Sequence, residues 1–496
     1  MPTSMRQGFD NEKYIELQAA NIRKRIAQFG GKLYLEFGGK LFDDYHASRV
    51  LPGFEPDTKF RMLESLVDDV EIVIAINANH IEKGKTRGDL GIPYDEDVLR
   101  LIDVFRSRGF VGSVVLTQYA NQPAADAYRH RLEQLGVTCR LHYPIAGYPH
   151  DIERIVSDDG YGKNEYIETT RPLVVVTAPG PGSGKLATCL SQLYHEHQRG
   201  IDAGYAKYET FPIWNLPLNH PVNIAYEAAT VDLDDANIID PFHLEAYGET
   251  TVNYNRDVEA FPVLKAMMER IMGESPYQSP TDMGVNMAGY AIVDDDACRD
   301  AARLEIVRRY FAAAVHLKRT GTGEEQVERL RSIMNRAGVT PDLSPARAVA
   351  LEKEAATGAP AGAMVLPDGH VVTGKTGDLL GAASALLMHA LKAVTGVDET
   401  IPVIDDAAIE PICRLKTEHL NSVNRRLHSD ETLIALSITS ATSPVAARVI
   451  DGLKQLRGCD AFFSVIISST DEALYRKLGI NVCCEPKYER VSLYHR

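Results

Sequence analysis

Residues 173–185 read Leu-Val-Val-Val-Thr-Ala-Pro-Gly-Pro-Gly-Ser-Gly-Lys, and this stretch decides the fold class. The apolar, β-branched run at its start predicts a buried strand, and residues 186–197 have the apolar spacing of a helix. The three glycines between them permit a tight turn with positive φ. A strand that runs through a glycine-rich turn into a helix is typical of an α/β protein and of a phosphate-binding loop.

This turn is the candidate phosphate cradle. The phosphate ligands predicted within it and in the following helix are Gly180, Gly182, Ser183, Gly184, Lys185 and Thr188. Pro179 stands where the pattern G-x-x-x-x-G-K-[ST] has its first Gly, and Leu186 stands where the pattern has its Mg²⁺-binding hydroxyl. Ser183 or Thr188 would have to supply that hydroxyl. The sequence thus favours a phosphate site. A nucleotide is one possible ligand, and Mg²⁺ is disfavoured. A turn that needs glycine for packing alone is the alternative.

A second segment, Gly369–Thr376, matches the phosphate-loop pattern letter for letter. Its context is different, because Asp368-Gly369 is a hairpin signal and His370-Val371-Val372 is typical of a strand. We therefore expect a hairpin here. The alternative is a weaker anion site at Gly374-Lys375-Thr376, where the pattern predicts that a helix begins.

Four further apolar runs, residues 32–37, 71–76, 113–117 and 137–142, precede the turn, and residues 95–108 and 124–135 have helical periodicity. Strands that alternate with helices predict a Rossmann-like parallel sheet covered on both faces. Ligands of such sheets bind beyond the carboxyl ends of the strands. Lys40, Lys85 and Arg87 follow two of these strands, so we expect them to add positive charge to the phosphate site.

The chain divides into three predicted domains. Residues 1–295 form the Rossmann-like and P-loop-like domain, which includes an irregular, pocket-forming insertion at about 203–295. Residues 296–357 form a helical domain, and residues 358–496 form a smaller C-terminal α/β domain with strands near 432–438, 461–467 and 480–484.

The insertion is dense in polar side chains set among Tyr, Pro and the single Trp, which is typical of a small-molecule pocket. The candidate general acids and bases are Glu209, His220, Asp240, His243 and Asp257. Metal ligation by His220, His243 and a carboxylate is an alternative, but the spacing fits no known metal motif, so no metal site is predicted.

The composition limits the classes of partner. The net charge of −15 over 496 residues disfavours nucleic acid and anionic membranes, since both require a basic surface. Seven cysteines without a C-x-x-C pair indicate a reduced, cytoplasmic protein. The N-terminus has no apolar signal segment, and no run is long enough to span a membrane. We expect a homo-oligomer, since closed symmetric assemblies are common among large cytosolic proteins.

Six long segments resemble the bacterial DUF1846 (UPF0371) family: KLYLEFGGKLFDDYHASRVLPGF (32–54), VVVTAPGPGSGKLATCLSQLYHE (174–196), GYAKYETFPIWNLPLNHPVNIAYEAAT (204–230), IDPFHLEAYGETTVNYNRDVE (239–259), SPTDMGVN (279–286) and TGKTGDLLGAASALLMHALKA (373–393). The resemblance extends through nearly the whole chain. It implies a soluble bacterial protein with a P-loop-like N-terminal region, a helical middle and a small α/β C-terminal domain, and it supplies no catalytic residues.

Three functional hypotheses follow from the residues. The first is an enzyme that acts on or with a phosphorylated small molecule or a nucleotide held at Gly180–Lys185. The second is a non-catalytic module that binds such a small anionic ligand, which the missing metal-side hydroxyl favours. The third is a metal-dependent hydrolase.

Overall fold

The computed structural model describes residues 6–42, 44–87 and 91–489. Its α-helices are α1 (Asn11–Gln28), α2 (Tyr45–Val50), α3 (Thr58–Glu64), α4 (Ala78–Glu82), α5 (Tyr94–Ser107), α6 (Pro123–Gln134), α7 (Ile152–Ile155), α8 (Lys185–Gln198), α9 (Pro221–Ala229), α10 (Pro241–Tyr247), α11 (Asn255–Met272), α12 (Pro280–Met283), α13 (Asp295–Thr320), α14 (Glu324–Ala337), α15 (Pro345–Thr357), α16 (Ala382–Val394), α17 (Asp406–Arg414), α18 (Ser429–Ser440), α19 (Pro444–Asp451) and α20 (Ser469–Lys477).

The strands are β1 (Leu33–Phe37), β2 (Val70–Asn77), β3 (Thr86–Arg87), β4 (Ile92–Pro93), β5 (Val111–Thr117), β6 (Thr138–Leu141), β7 (Leu173–Thr177), β8 (Gly204–Tyr208), β9 (Asn237–Ile239), β10 (Val252–Tyr254), β11 (Gly284–Val285), β12 (Ala361–Val365), β13 (Val371–Lys375), β14 (Asp460–Phe463) and β15 (Asn481–Cys484). Two pairs of short strands, β3 with β4 and β9 with β10, form antiparallel ribbons outside the larger sheets.

A seven-stranded parallel sheet organises the N-terminal part, with the strand order β11-β8-β1-β7-β2-β5-β6. The five strands predicted before the turn are all present in it. Every residue of β7 is buried, as an apolar strand between two neighbours requires. Because all seven strands run in one direction, their carboxyl ends meet along a single edge of the sheet.

Helices cover both faces of this sheet. On β1 the Tyr34 hydroxyl accepts a 3.2 Å hydrogen bond from Gln192 of α8. On β8 the Tyr208 hydroxyl lies 2.8 Å from the hydroxyl of Tyr14 in α1, and the two residues are buried. Tyr34 and Tyr208 point to opposite faces of the sheet, so α8 covers one face and α1 covers the other. The predicted covering of a parallel sheet by helices is confirmed.

The expectation of an irregular stretch at 203–295 is wrong, because this stretch contains four α-helices and four strands. Three of its prolines begin helices, and a fourth, Pro262, lies within α11. Pro221, Pro241 and Pro280 each occupy the first position of a helix, where a missing N–H costs no hydrogen bond. Helix α9 then packs against α13, the longest helix among the described residues.

The C-terminal part contains its own mixed sheet, with the strand order β13-β12-β14-β15. Strands β12 and β13 are antiparallel, so the predicted hairpin at Asp368-Gly369 is confirmed. The predicted helix start at Gly374 is wrong: Gly374 and Lys375 lie in β13, and α16 begins at Ala382. Residues 432–438, predicted as a strand, lie within α18. The strands predicted near 461–467 and 480–484 are present as β14 and β15.

Helix α13 joins the two sheets. Arg308 donates hydrogen bonds of 2.8 and 2.9 Å to the carboxylate of Asp460 in β14, and one of 3.2 Å to Glu305 on its own helix. One apolar cluster includes Phe9 near the N-terminus together with Phe311 of α13 and Phe462 of β14. The limits of the three predicted domains stay a prediction. Among the described helices, none combines the length and the apolar character needed to cross a membrane.

Candidate functional site

The glycine-rich turn between β7 and α8 has a conformation that depends on its glycines. Gly182 has φ of +75° and Gly184 has φ of +89°, values that side chains with a Cβ rarely adopt. At Gly184 an added Cβ would also lie 2.9 Å from the Thr117 side chain. At Gly180 it would lie 2.1 Å from the Tyr94 hydroxyl. The sequence pattern therefore reflects both backbone conformation and close packing.

Side chains at the ends of neighbouring strands hold the turn in place. Thr117, the last residue of β5, donates a 2.7 Å hydrogen bond to the carbonyl of Ser183. Asn77, the last residue of β2, donates one of 3.1 Å to the carbonyl of Gly182. Within the turn, the Ser183 hydroxyl donates to the carbonyl of Gly180 at 2.8 Å. The turn is thus anchored to the carboxyl edge of the sheet.

A cavity of about 490 Å³ opens beside the turn, at the edge where the parallel strands end. This volume lies within the range of small-molecule sites. Its walls come from strand ends, from the segment after β6 and from the first turn of α8. The lining residues are Glu36, Asn77, Asn79, Thr117, Gln118, His142, Tyr143, Ile145, Tyr148, Tyr161, Asn164, Gly182, Ser183, Gly184, Lys185, Leu186 and Ala187.

Lys185 is the first residue of α8 and lines this cavity. The first N–H groups of a helix have no partner within the helix, and the helix dipole adds partial positive charge there. Lys185 forms no ion pair with any carboxylate among the described residues. The amino group and the free N–H groups of Lys185, Leu186 and Ala187 together suit an anion.

The two hydroxyls predicted to replace the missing metal ligand are already engaged in the fold. Thr188 is fully buried and donates a 2.9 Å hydrogen bond to the carbonyl of Gly184. Ser183 is also fully buried and bonds within the turn. Leu186 therefore leaves the start of α8 without a hydroxyl that is free to ligate Mg²⁺.

The three cations predicted from the upstream strands are not among the described residues that line the cavity. Arg87 donates a 2.9 Å hydrogen bond to the buried carboxylate of Asp97. Lys85 lies over the ring of Tyr94, with its amino group 5.2 Å from the ring centroid. Lys40 is exposed in the segment after β1.

His142, at the end of β6, lines the cavity although only 4% of its surface is exposed. Burial lowers the pKa of His142 to about 3, so the ring is neutral at physiological pH. Its Nε2 lies 3.3 Å from the carbonyl oxygen of Glu165, which only an N–H can satisfy. The proton is thereby assigned to Nε2, and Nδ1 is a hydrogen-bond acceptor.

A charged network adjoins the cavity at Glu36. Glu36 on β1 is the register neighbour of Lys207 on β8, and Tyr205 donates a 2.9 Å hydrogen bond to the Glu36 carboxylate. The Lys207 amino group lies 2.9 Å from the Glu209 carboxylate and also bonds to Asp257 of α11. Burial raises the pKa of Glu209 to about 7, against the opposing effect of Lys207.

The structure brings Glu209 and Asp257 together, but it gives the other three acid–base candidates structural partners. His220 caps α9 and its Nε2 lies 2.9 Å from Asp295. Asp240 caps α10 and accepts a 2.6 Å hydrogen bond from Thr281. His243 lies 2.8 Å from the Ser279 hydroxyl. None of the three lines the cavity, and the described residues contain no group of three His, Cys, Asp or Glu side chains that could hold a metal ion.

Two cavity residues gave little signal in the sequence. Glu36 is a single acidic residue within an otherwise apolar strand. A lone charge in a buried strand was the one sign in the sequence that Glu36 belongs to a site. Gln118 follows β5 with φ of +55°, a strained value for a residue with a side chain, and such strain is frequent at functional sites. Backbone conformation of this kind cannot be read from residue type.

The family comparisons agree along the whole chain. The family model described as "Domain of unknown function DUF1846, N-terminal" matches residues 7–338, and its C-terminal counterpart matches residues 342–494. A UPF0371 protein of Corynebacterium diphtheriae is 59% identical over 495 residues, covering 99% of both chains. One from Streptococcus pneumoniae is 56% identical over 492 residues, covering 99% of this chain and 100% of the relative. The chain therefore belongs to the DUF1846 (UPF0371) family.

Proposed function

We propose that this protein binds a phosphorylated small molecule in the cavity beside the glycine-rich turn and acts on it as an enzyme. The phosphate lies against the start of α8, where Lys185 and the free N–H groups of the first helical turn meet its oxygens. The remainder of the ligand occupies the space between Glu36, His142 and Tyr148. The observation that supports this proposal is the cavity at the carboxyl edge of a parallel sheet, with a lysine at a helix N-terminus that pairs with no carboxylate in the described part of the chain.

The charged network next to the cavity favours an enzyme. Glu36 lines the cavity, and its register neighbour on β8 is Lys207. Lys207 in turn contacts Glu209 and Asp257. A carboxyl group whose pKa lies near 7 exchanges protons readily at physiological pH, which general acid–base catalysis requires. Glu209 is not among the described residues that line the cavity, and Glu36 is the carboxylate that is.

The second candidate is a non-catalytic module that senses the same ligand. Leu186 and the engaged hydroxyl of Thr188 favour it, because they remove the usual means of placing a metal beside a transferable phosphate. Binding without turnover distinguishes this candidate from the enzyme.

Titration calorimetry with phosphorylated metabolites and nucleotides tests the proposal. Lys185→Ala is expected to weaken binding at least tenfold, because it removes the cavity's cation. Lys24→Ala serves as the matched control, since Lys24 is exposed on α1 away from the cavity and the net charge of the two variants is equal. If no phosphorylated compound binds, or if both variants bind equally well, the proposal is wrong.

A turnover assay then separates the two candidates. The wild-type protein is incubated with the bound compound, with and without Mg²⁺, and the products are followed by mass spectrometry. Conversion that Glu36→Gln slows while the affinity changes less supports the enzyme. Unchanged compound under every condition favours the sensing module.

A further inference from the structure

We infer that the ligand is a phosphate monoester of a polyhydroxylated molecule, such as a sugar phosphate, and not a nucleoside triphosphate. This inference rests on the proposed function, because it concerns the same cavity. It follows from three properties of the walls: their charge, their free hydrogen-bond acceptors and their aromatic surface.

The charge of the cavity fits a single phosphate. Lys185 is the one lysine or arginine among the described lining residues, and Glu36 is the one carboxylate. A phosphate monoester carries about −2 at neutral pH, and a triphosphate carries roughly twice that charge. Proteins that bind triphosphates neutralise them with a lysine and with Mg²⁺ held by a loop hydroxyl. With Leu186 at that position and Thr188 bonded to Gly184, the described lining of the cavity offers no free loop hydroxyl to hold this second source of positive charge.

The walls offer acceptors that hydroxyl groups can satisfy. His142 is nine-tenths buried, its Nε2–H is bonded to Glu165, and its Nδ1 has no partner among the described residues. Glu36 accepts from Tyr205 with one carboxylate oxygen, while the other has no partner in the described part of the chain. Two acceptors in one cavity require a ligand with several donors. A polyhydroxylated molecule supplies them, and each hydroxyl can also accept a hydrogen bond from the Gln118 amide.

These acceptors line the same cavity as Lys185. The side chain of Asn164 accepts a 2.8 Å hydrogen bond from the backbone N–H of Tyr143 and donates one of 3.0 Å to Ser191 of α8. The segment that carries His142 is therefore joined to the helix that begins at Lys185. On the other side, Glu36 and Tyr148 line the same cavity, and burial together with the negative charge of Glu36 raises the pKa of Tyr148.

Two of the lining tyrosines, Tyr143 and Tyr148, add aromatic surface to the walls, whereas Tyr161 is fully buried. The C–H faces of a sugar ring pack on such rings, while its hydroxyls reach the polar groups at the edges. The combination of one cation, two acceptors and aromatic walls is thus suited to a ring or chain that carries hydroxyls and one phosphate.

Calorimetry on the full-length protein tests the inference. The probes are inorganic phosphate, glucose 6-phosphate, ribose 5-phosphate, trehalose 6-phosphate, unphosphorylated glucose, and ATP with and without Mg²⁺. We expect at least one sugar phosphate to bind at least tenfold more tightly than inorganic phosphate and ATP. Glu36→Gln and His142→Gln should each weaken sugar-phosphate binding about tenfold, since each removes or weakens a hydroxyl acceptor, and should leave inorganic phosphate unaffected.

Tyr148→Phe provides a second, milder variant, because it retains the ring and removes one hydroxyl. It is expected to weaken sugar-phosphate binding several-fold while retaining the thermal stability of the wild type. If inorganic phosphate or ATP binds as tightly as every sugar phosphate, the inference is wrong and the proposed function stands. If no phosphorylated probe binds, the proposed function fails as well.

Discussion

The hydroxyl of Thr117 donates a 2.7 Å hydrogen bond to the carbonyl oxygen of Ser183, which joins the end of β5 to the glycine-rich turn. Thr117 is 4% exposed and Ser183 is fully buried, so water does not compete for this bond. The same threonine side chain lies against Gly184, which leaves no room for a Cβ there. One side chain therefore fixes both the position and the composition of the turn.

Thr117→Val removes the hydroxyl that holds the turn and keeps a side chain of nearly the same size. The variant leaves the buried carbonyl of Ser183 unsatisfied, so we expect a loss of about 1 to 2 kcal/mol in the free energy of unfolding. Phosphate-ligand affinity should fall several-fold, because the turn is less firmly held. Urea unfolding and calorimetry measure the two effects. Thr357→Val, which removes an exposed hydroxyl bonded within α15, should change neither by a comparable amount.

Gly184→Ala should cost more than the same substitution at a helix end without a neighbour. Gly338 has φ of +65° and no atom within 4 Å of an added Cβ, whereas Gly184 has φ of +89° and the Thr117 side chain 2.9 Å away. The left-handed conformation costs alanine about 1 to 2 kcal/mol at either position. Gly184→Ala is expected to exceed Gly338→Ala in destabilisation and to abolish phosphate-ligand binding. Equal destabilisation of the two variants would show that the contact with Thr117 is unimportant.

Glu209 should make stability depend on pH in a defined window. Burial raises its pKa to about 7 from an ordinary value of 4.5. Between these values the folded chain retains a proton that the unfolded chain releases, so the free energy of unfolding falls as pH rises through the window. The effect is on the order of 2 kcal/mol. Chemical unfolding at several pH values should show a smaller slope for Glu209→Gln, while the exposed control Glu352→Gln keeps the wild-type slope.

Glu305 is the buried centre of a cluster of positive side chains. It lies 2.8 Å from both Arg49 and Arg309 and 3.2 Å from Arg308. Burial opposes its ionisation, but the arginines hold its pKa well below the ordinary value. Glu305→Gln should destabilise the fold by about 3 kcal/mol at pH 7, since it leaves the half-buried Arg49 and Arg309 without the counter-charge of Glu305.

The difference between Glu305→Gln and the wild type should shrink as pH falls. A carboxylate with a lowered pKa stabilises the folded state above its ordinary pKa, and this stabilisation is lost as the pH drops through the folded value. Unfolding curves at neutral and acidic pH test this. A variant at an exposed glutamate, Glu325→Gln on α14, should have little effect, and an equally large loss there would contradict a special role for Glu305.

Much of the sheet could be predicted from the sequence, because buried parallel strands are short apolar runs bounded by glycine and polar residues. The central strand β7 and the turn after it are the clearest case. Residues 432–438 misled the prediction, since the β-branched Thr432, Ile434 and Ile438 favour a strand in isolation. In the structure α18 packs through Ala435 and Leu436 while Ile434 and Ile438 are exposed. Tertiary contacts, and not local preference, decide such a segment.

The candidate site was only partly accessible from the sequence. Lys185 and its glycines are adjacent in the chain, so their pattern was sufficient. In the sequence, His220, Asp240 and His243 were equally good candidates for acid–base catalysis. In the structure each caps a helix or bonds to a nearby side chain, and capping depends on backbone geometry. The pairing of Glu36 with Lys207 depends on the register of β1 against β8, which joins residues far apart in sequence.

The hydrogen bonds of Arg308 to Asp460 have a consequence for the design of truncated fragments of this chain. The family models separate near residue 340, yet Arg308 lies before that boundary and its partner lies after it. Phe311 and Phe462 pack together across the same boundary, with ring centroids 4.9 Å apart. A fragment cut at the boundary would expose an aromatic surface and an orphaned charge. Either half expressed alone should therefore aggregate. Co-expressed halves should reassemble through the contacts of Arg308 with Asp460 and of Phe311 with Phe462.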